Sequence, residues 1–164
     1  MARYRAPAPP SSPYITAEGH RALREELDGL WQRRREVVVH LSAAAAEGDR
    51  SENAEYIYRK KQLREIDRRV GYLQRRLPVL KVVAQAPPAR DRVFFGAWVS
   101  LVNEHDEERE LRIVGADELD PARNWISVDS PMARALLNRG MDDEVQVETP
   151  EGMVTWWVLG VRYG

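Results

Sequence analysis

The chain of 164 residues carries 25 Lys and Arg against 26 Asp and Glu and has no cysteine. That length admits one domain or two small ones, and the lack of cysteine excludes a disulfide scaffold, a thiolate zinc site and a thiol nucleophile. No apolar run approaches the roughly 18 residues that cross a bilayer, and the basic opening Met1-Ala2-Arg3-Tyr4-Arg5 has no apolar stretch behind it, so a cytoplasmic protein without membrane contact is expected. The near-neutral total hides an asymmetry. Residues 1–89 hold 17 Lys and Arg against 11 Asp and Glu, a balance of +6, while residues 90–164 hold 8 against 15, a balance of −7. A basic first half and an acidic second half imply separate electrostatic tasks, one of them at nucleic acid.

Residues 1–14, with Pro7, Pro9, Pro10 and Pro13, read as a disordered leader. Thr16 then supplies a helix N-cap, with Glu18 placed in the first turn where negative charge suits the helix dipole. Leu23, Leu27, Leu30, Val37, Leu41 and Ala44 follow at heptad-like spacing, with Arg34 interrupting the seam. The Ala43 to Ala46 run favours helix, and Gly48 is the expected C-cap. A second helix, expected from about Ser51, carries Tyr56, Leu63, Ile66, Val70, Leu73 and Leu77 on its seam, and Pro78 should end it. Two helices joined by so short a turn must run antiparallel, so residues 15–83 are read as an antiparallel two-helix coiled-coil hairpin on the order of 40 Å long.

Residues 84–90, with Pro87 and Pro88, read as a linker. From there the period changes. Val93 to Val102, Arg109 to Val114, Trp125 to Val128, Glu144 to Thr149 and Met153 to Val161 are β-branched and aromatic runs separated by turn residues. Ser130-Pro131 opens one short helix, Met132 to Leu137. Residues 91–164 are therefore expected to form a small antiparallel sheet packed by one helix, and the chain as a whole falls in the α+β class. Trp98, Trp125, Trp156 and Trp157 are expected to build that sheet's core and one exposed contact, since the adjacent Trp156 and Trp157 must face opposite sides.

The hairpin tip is the acidic run Glu47-Gly48-Asp49-Arg50-Ser51-Glu52-Asn53-Ala54-Glu55-Tyr56. Asp49 and Glu52, three apart, fit a capping box, and they equally fit a pair of carboxylates sharing a divalent cation. Two side chains alone make a poor metal site, so a cation there needs ligands from a partner. Behind the tip, Arg59, Lys60, Lys61, Arg64, Arg68, Arg69, Arg75 and Arg76 are offset only by Glu65 and Asp67. With Leu63 at heptad position a, Lys61, Arg68 and Arg75 fall at f and Arg64 at b, an outward basic stripe suited to phosphates. The bland alternative is a solvated coiled-coil face. His20, His40 and His105 show no ligand spacing, and no Gly-rich phosphate loop or Ser/His/Asp arrangement is present.

Gly48-Asp49-Arg50-Ser51-Glu52-Asn53-Ala54-Glu55-Tyr56, followed by Lys60 to Val70, resembles the bacterial transcript cleavage factors of the Gre family. Val93 to Val99, Arg112 to Gly115 and Ile126 to Leu137 are similar to that family's C-terminal domain. The Asp-Arg-Ser-Glu tip and dense basic stretch resemble its GreB branch. The resemblance implies an FKBP-like C-terminal domain that binds RNA polymerase and a coiled coil that enters the polymerase secondary channel. It implies that Asp49 and Glu52 help hold a Mg²⁺ shared with polymerase, and that Arg59, Lys60, Lys61, Arg64 and Arg68 bind the extruded RNA 3′ segment. The chain would then be a monomeric elongation factor with no enzymatic activity of its own. Two other readings compete: a binding-only regulator that plugs the same channel, and a stand-alone metal nuclease, which the shortage of ligands disfavours.

Overall fold

The computed structural model describes residues 10–48 and 53–164. They divide into two compact units, one of residues 20–80 and one joining the described part of 1–19 to 81–164.

The first unit is built by helices α1 (Ala17–Ala45) and α2 (Ala54–Arg76). Contacts pair Ala44 with Asn53, Arg34 with Asp67 and Glu26 with Arg69, so the helices run antiparallel. Val37, Ile66 and Val70 are buried on the seam, with Leu27, Leu30 and Leu63 packed against them. Each such side chain contributes roughly 1.5–3 kcal/mol when fully buried. Arg34, the polar break in the seam, reaches across to Asp67 at 2.6 Å. The Asp67 hydrogen bond and then its charge raise the Arg34 pKa, so the guanidinium stays cationic. Arg69 makes two parallel bonds to Glu26, at 2.7 and 2.9 Å. These half-exposed pairs fix the pairing of the arms more than they stabilise it, since solvent screens exposed ion pairs. Helix α2 stops at Arg76, and Pro78 lies inside the following 3-10 turn, Leu77–Val79.

The second unit holds a five-stranded sheet in the order β5-β4-β3-β7-β6, made of β3 (Trp98–Asn103), β4 (Glu108–Val114), β5 (Trp125–Ser127), β6 (Glu144–Thr149) and β7 (Gly152–Arg162). Helix α3 (Pro131–Leu136) packs beside β6, with Ser130 accepting from the Ala133 N–H at 3.2 Å as its N-cap. All five expected strands and the helix are present, yet the sheet is mixed rather than wholly antiparallel. Strand β5 lies parallel to β4, because residues 115–124 make a loop with its own 3-10 turn (Pro121–Arg123) and carry the chain back to the same end. The first expected strand also starts later, at Trp98: Gly96 takes φ +85° and turns the chain just before it.

Buried and half-buried residues alternate along β3, so Val99 and Leu101 enter the core with Ile113, Leu136 and Trp156. The tryptophans do not all follow. Trp156 alone of the four is buried, while Trp98 and Trp125 stand on the other face of the sheet. There they alternate with guanidinium groups in the order Arg162, Trp98, Arg112, Trp125, Arg123, at 4.6, 5.4, 4.9 and 5.2 Å from ring centre to cation. Arginine residues on neighbouring strands supply the cations that a tryptophan face attracts.

Two short strands lie outside that sheet. β1 (Tyr14–Thr16) and β2 (Lys81–Val83) pair in parallel. Residues 10–14 of the expected leader are thus partly held: Ser12 donates to Asp129 through both its N–H and its hydroxyl, and Tyr14 is in β1. The rest of that leader, 1–9, lies outside the described residues. Glu118 clamps the same segment, accepting from the Thr16 N–H at 2.8 Å, the Thr16 hydroxyl and the Gly115 N–H at 2.9 Å. The Thr16 hydroxyl oxygen in turn accepts from the Gly19 N–H at 3.0 Å, the N-cap expected of it.

Candidate functional site

At the tip, α1 ends at Ala45, and Gly48, with φ +133°, follows three residues later instead of capping the helix directly. Helix α2 begins at Ala54, later than expected, because Asn53 is its N-cap. The Asn53 side-chain oxygen accepts from the Tyr56 N–H at 3.1 Å, while its amide nitrogen donates to the Ala44 carbonyl at 2.8 Å. One side chain therefore caps the second helix and adds a second donor to a carbonyl in the last turn of the first, which also accepts from the Glu47 N–H at 3.2 Å. Asn53 was missed by the sequence reading; its signal was a strong N-cap residue followed by Glu55 in the first turn. Asp49 and Glu52 lie outside the described residues. Among the described residues, the side-chain cap of α2 comes from Asn53.

The basic residues of α2 separate into two sets. At about 100° per residue, Lys61, Arg64, Arg68 and Arg75 fall within an arc of roughly 60°, opposite the Leu63, Ile66, Val70 and Leu73 seam. All four are exposed and form no ion pair among the described residues. Lys60 stands beside this stripe, also exposed, with its ammonium 5.9 Å from the Tyr56 ring centre. Arg59 is placed differently. It lies on the seam side, half-buried, bonded to Glu55 at 2.7 Å and Gln62 at 3.1 Å. Arg69 is likewise engaged by Glu26. Of the residues expected to meet RNA, Lys61, Arg64 and Arg68 thus share one face with Lys60 at its edge, and Arg59 does not belong to it.

Four cations against the single Glu65 on one helix face leave a net positive surface, which attracts a polyanion and offers no base-specific donor pattern. No group of three or more His, Cys, Asp or Glu among the described residues could hold a metal ion. In the sheet unit, a groove of about 580 Å³ is lined by Met132, Met153, Trp156, His105 and Glu151 among others, with Met153 61% exposed. No helix among the described residues is long and apolar enough to cross a membrane.

Residues 13–82 match the family model described as transcription elongation factor, N-terminal, and residues 87–163 match that for transcription elongation factor, GreA/GreB, C-term. The chain is 59% identical over 153 residues to a transcription elongation factor GreB of Yersinia pestis, covering 93% of this chain and 90% of that protein. It is 57% identical over 165 residues to a transcription elongation factor GreB of Xanthomonas axonopodis pv. citri, covering 99% and 98%. The solved structure of Thermus aquaticus Gfh1 aligns with 94% of this chain and 100% of its own, at 22% identity and a TM-score of 0.43. With the two family models together covering residues 13–82 and 87–163 and such relatives aligned over almost their full length, the chain belongs to the GreA/GreB family of transcription elongation factors.

Proposed function

We propose that this chain binds RNA polymerase and stimulates Mg²⁺-dependent cleavage of backtracked nascent RNA by the polymerase itself. The observation that carries the reading is the α2 stripe: Lys61, Arg64, Arg68 and Arg75 share one exposed face on which Glu65 is the one counter-charge among the described residues, on the helix that starts at the acidic tip. Neutralising a phosphate chain along that face would guide an RNA end toward Asp49 and Glu52.

The tip's task follows from its chemistry. Asp49 and Glu52 would contribute carboxylate oxygens to a Mg²⁺ completed by polymerase groups, consistent with the few protein carboxylates that Mg²⁺ takes. When bound, that ion supplies the charge that activates water for phosphodiester hydrolysis. The stripe holds the RNA, and Asn53 fixes the start of the helix that carries it. The acidic sheet unit would make the polymerase contact, with the Met132, Met153 and Trp156 groove as its apolar centre.

A stalled, backtracked elongation complex tests this reading. Addition of the factor should shorten the RNA only when Mg²⁺ and polymerase are both present. Asp49→Ala or Glu52→Ala should abolish shortening while leaving binding intact. Binding without shortening by the unaltered chain would favour a channel-plugging regulator, and cleavage of naked RNA would favour a nuclease.

A further inference from the structure

Tyr58 is 57% exposed, an unusual position for a large aromatic ring one turn into a helix. It is not spare seam material: the seam passes through Leu63, Ile66 and Val70, and Tyr58 projects about 60° from Lys61 on the opposite, cationic side. One side of the ring is backed by the Arg59 guanidinium at 5.4 Å. Arg59 is itself held by Glu55 at 2.7 Å and by Gln62 at 3.1 Å, so the backing group is fixed by two side chains. The phenol makes no hydrogen bond among the described residues. Fourteen residues further on, which is about 21 Å along the axis, Tyr72 repeats the arrangement beside the stripe with Arg69 at 5.3 Å. The two rings line one edge of the cationic stripe, with Glu65 midway between them on their own line; rings beside cations form the combination that binds single strands, cations taking phosphates and rings taking bases.

We propose that Tyr58 is a stacking platform for a base of single-stranded RNA whose phosphates lie on Lys61, Arg64 and Arg68. The proposal rests on the reading above that the stripe meets RNA, but it does not require that cleavage occur. It changes what the stripe recognises. A purely ionic track would hold any polyanion of equal charge, whereas a ring backed by a fixed guanidinium distinguishes an unpaired, unstacked base from a bare backbone. Every base has a π-face, so the preference would be for single strands over duplex and not for sequence.

The test uses the full chain and two fluorescent probes at low salt: a short single-stranded oligoribonucleotide, and a ribose-phosphate strand of equal length without bases. Tyr58→Leu should weaken binding of the base-bearing strand about 10-fold and leave the abasic strand unchanged. Tyr58→Phe should bind both as the original chain does, and Lys61→Glu should weaken both. Equal loss on the two strands, no loss for Tyr58→Leu, a Tyr58→Phe variant as weak as the leucine one, or no binding by the original chain would each overturn the proposal. A chain that behaves as proposed here and yet promotes no RNA shortening would instead defeat the cleavage reading alone.

Discussion

Replacing Glu118 with alanine removes the acceptor for the Thr16 N–H, the Thr16 hydroxyl and the Gly115 N–H together. Thr16 is only 5% exposed and Gly115 is also buried, so water replaces the carboxylate poorly. The hydroxyl can rotate, but the two backbone donors cannot. A buried donor left without an acceptor costs about 1–3 kcal/mol, which puts the Glu118→Ala loss at about 2–6 kcal/mol. Against the ~5–15 kcal/mol that holds a typical domain together, that is a large fraction. Glu118→Gln keeps a carbonyl oxygen and should cost about 1–2 kcal/mol, so the two substitutions are ordered. Urea unfolding followed by tryptophan fluorescence measures this directly, because Trp98, Trp125, Trp156 and Trp157 all lie in the same unit as the clamp. A Glu118→Ala loss below about 1 kcal/mol, or a glutamine variant weaker than the alanine one, would refute the argument that these donors depend on one side chain.

Other expectations follow from single side chains. Asn53→Ala should destabilise the hairpin by about 1–2 kcal/mol, since it removes an N-cap and the strut to the Ala44 carbonyl; circular dichroism melting would register it, and Asn53→Asp, which keeps the cap but not the amide donor, should recover only part. Tyr163 donates its hydroxyl to the Arg92 carbonyl at 2.6 Å and accepts from the Phe94 N–H at 2.9 Å. Burial raises its pKa above the usual 10.0, partly offset by the Phe94 bond, so the folded chain favours the neutral phenol. The stability this provides is complete below pH 10 and is lost as pH climbs through the raised value. Absorbance titration of the phenolate alongside alkaline unfolding should show that limb, and Tyr163→Phe should remove it.

Both helices and the class of the fold could be read from the sequence because they rest on periodic burial. Leu63, Ile66 and Val70 repeat at heptad spacing, and helical seams of this kind need no knowledge of the rest of the chain. The parallel placement of β5 could not be read, since the strand run Trp125 to Ser127 looks the same in either direction and only the path of 115–124 decides it. Strands β1 and β2 were hidden for a related reason: three residues carry no period, and their pairing joins positions 14–16 to 81–83 across the whole hairpin. The tryptophans misled because apolarity does not say which face a residue takes; Trp98 is out of phase with Val99 and Leu101 and therefore meets arginine instead of the core. On α2, heptad position separates Lys61, Arg64 and Arg68 from the seam, and the same count puts Arg59 at d, on the seam, where Glu55 and Gln62 hold it; grouping Arg59 with the RNA-facing residues ignored that position.

The side-by-side pairing of β1 and β2 lets the chain depart for its long helical excursion and come home at neighbouring points. Arm length is then a dimension that evolution or an engineer can alter without disturbing the doorway. Deleting one heptad from each helix would draw in the reach by about 10 Å and keep the seam in phase, while adding one would extend it equally. The hairpin is in this sense a measuring stick graduated in heptads.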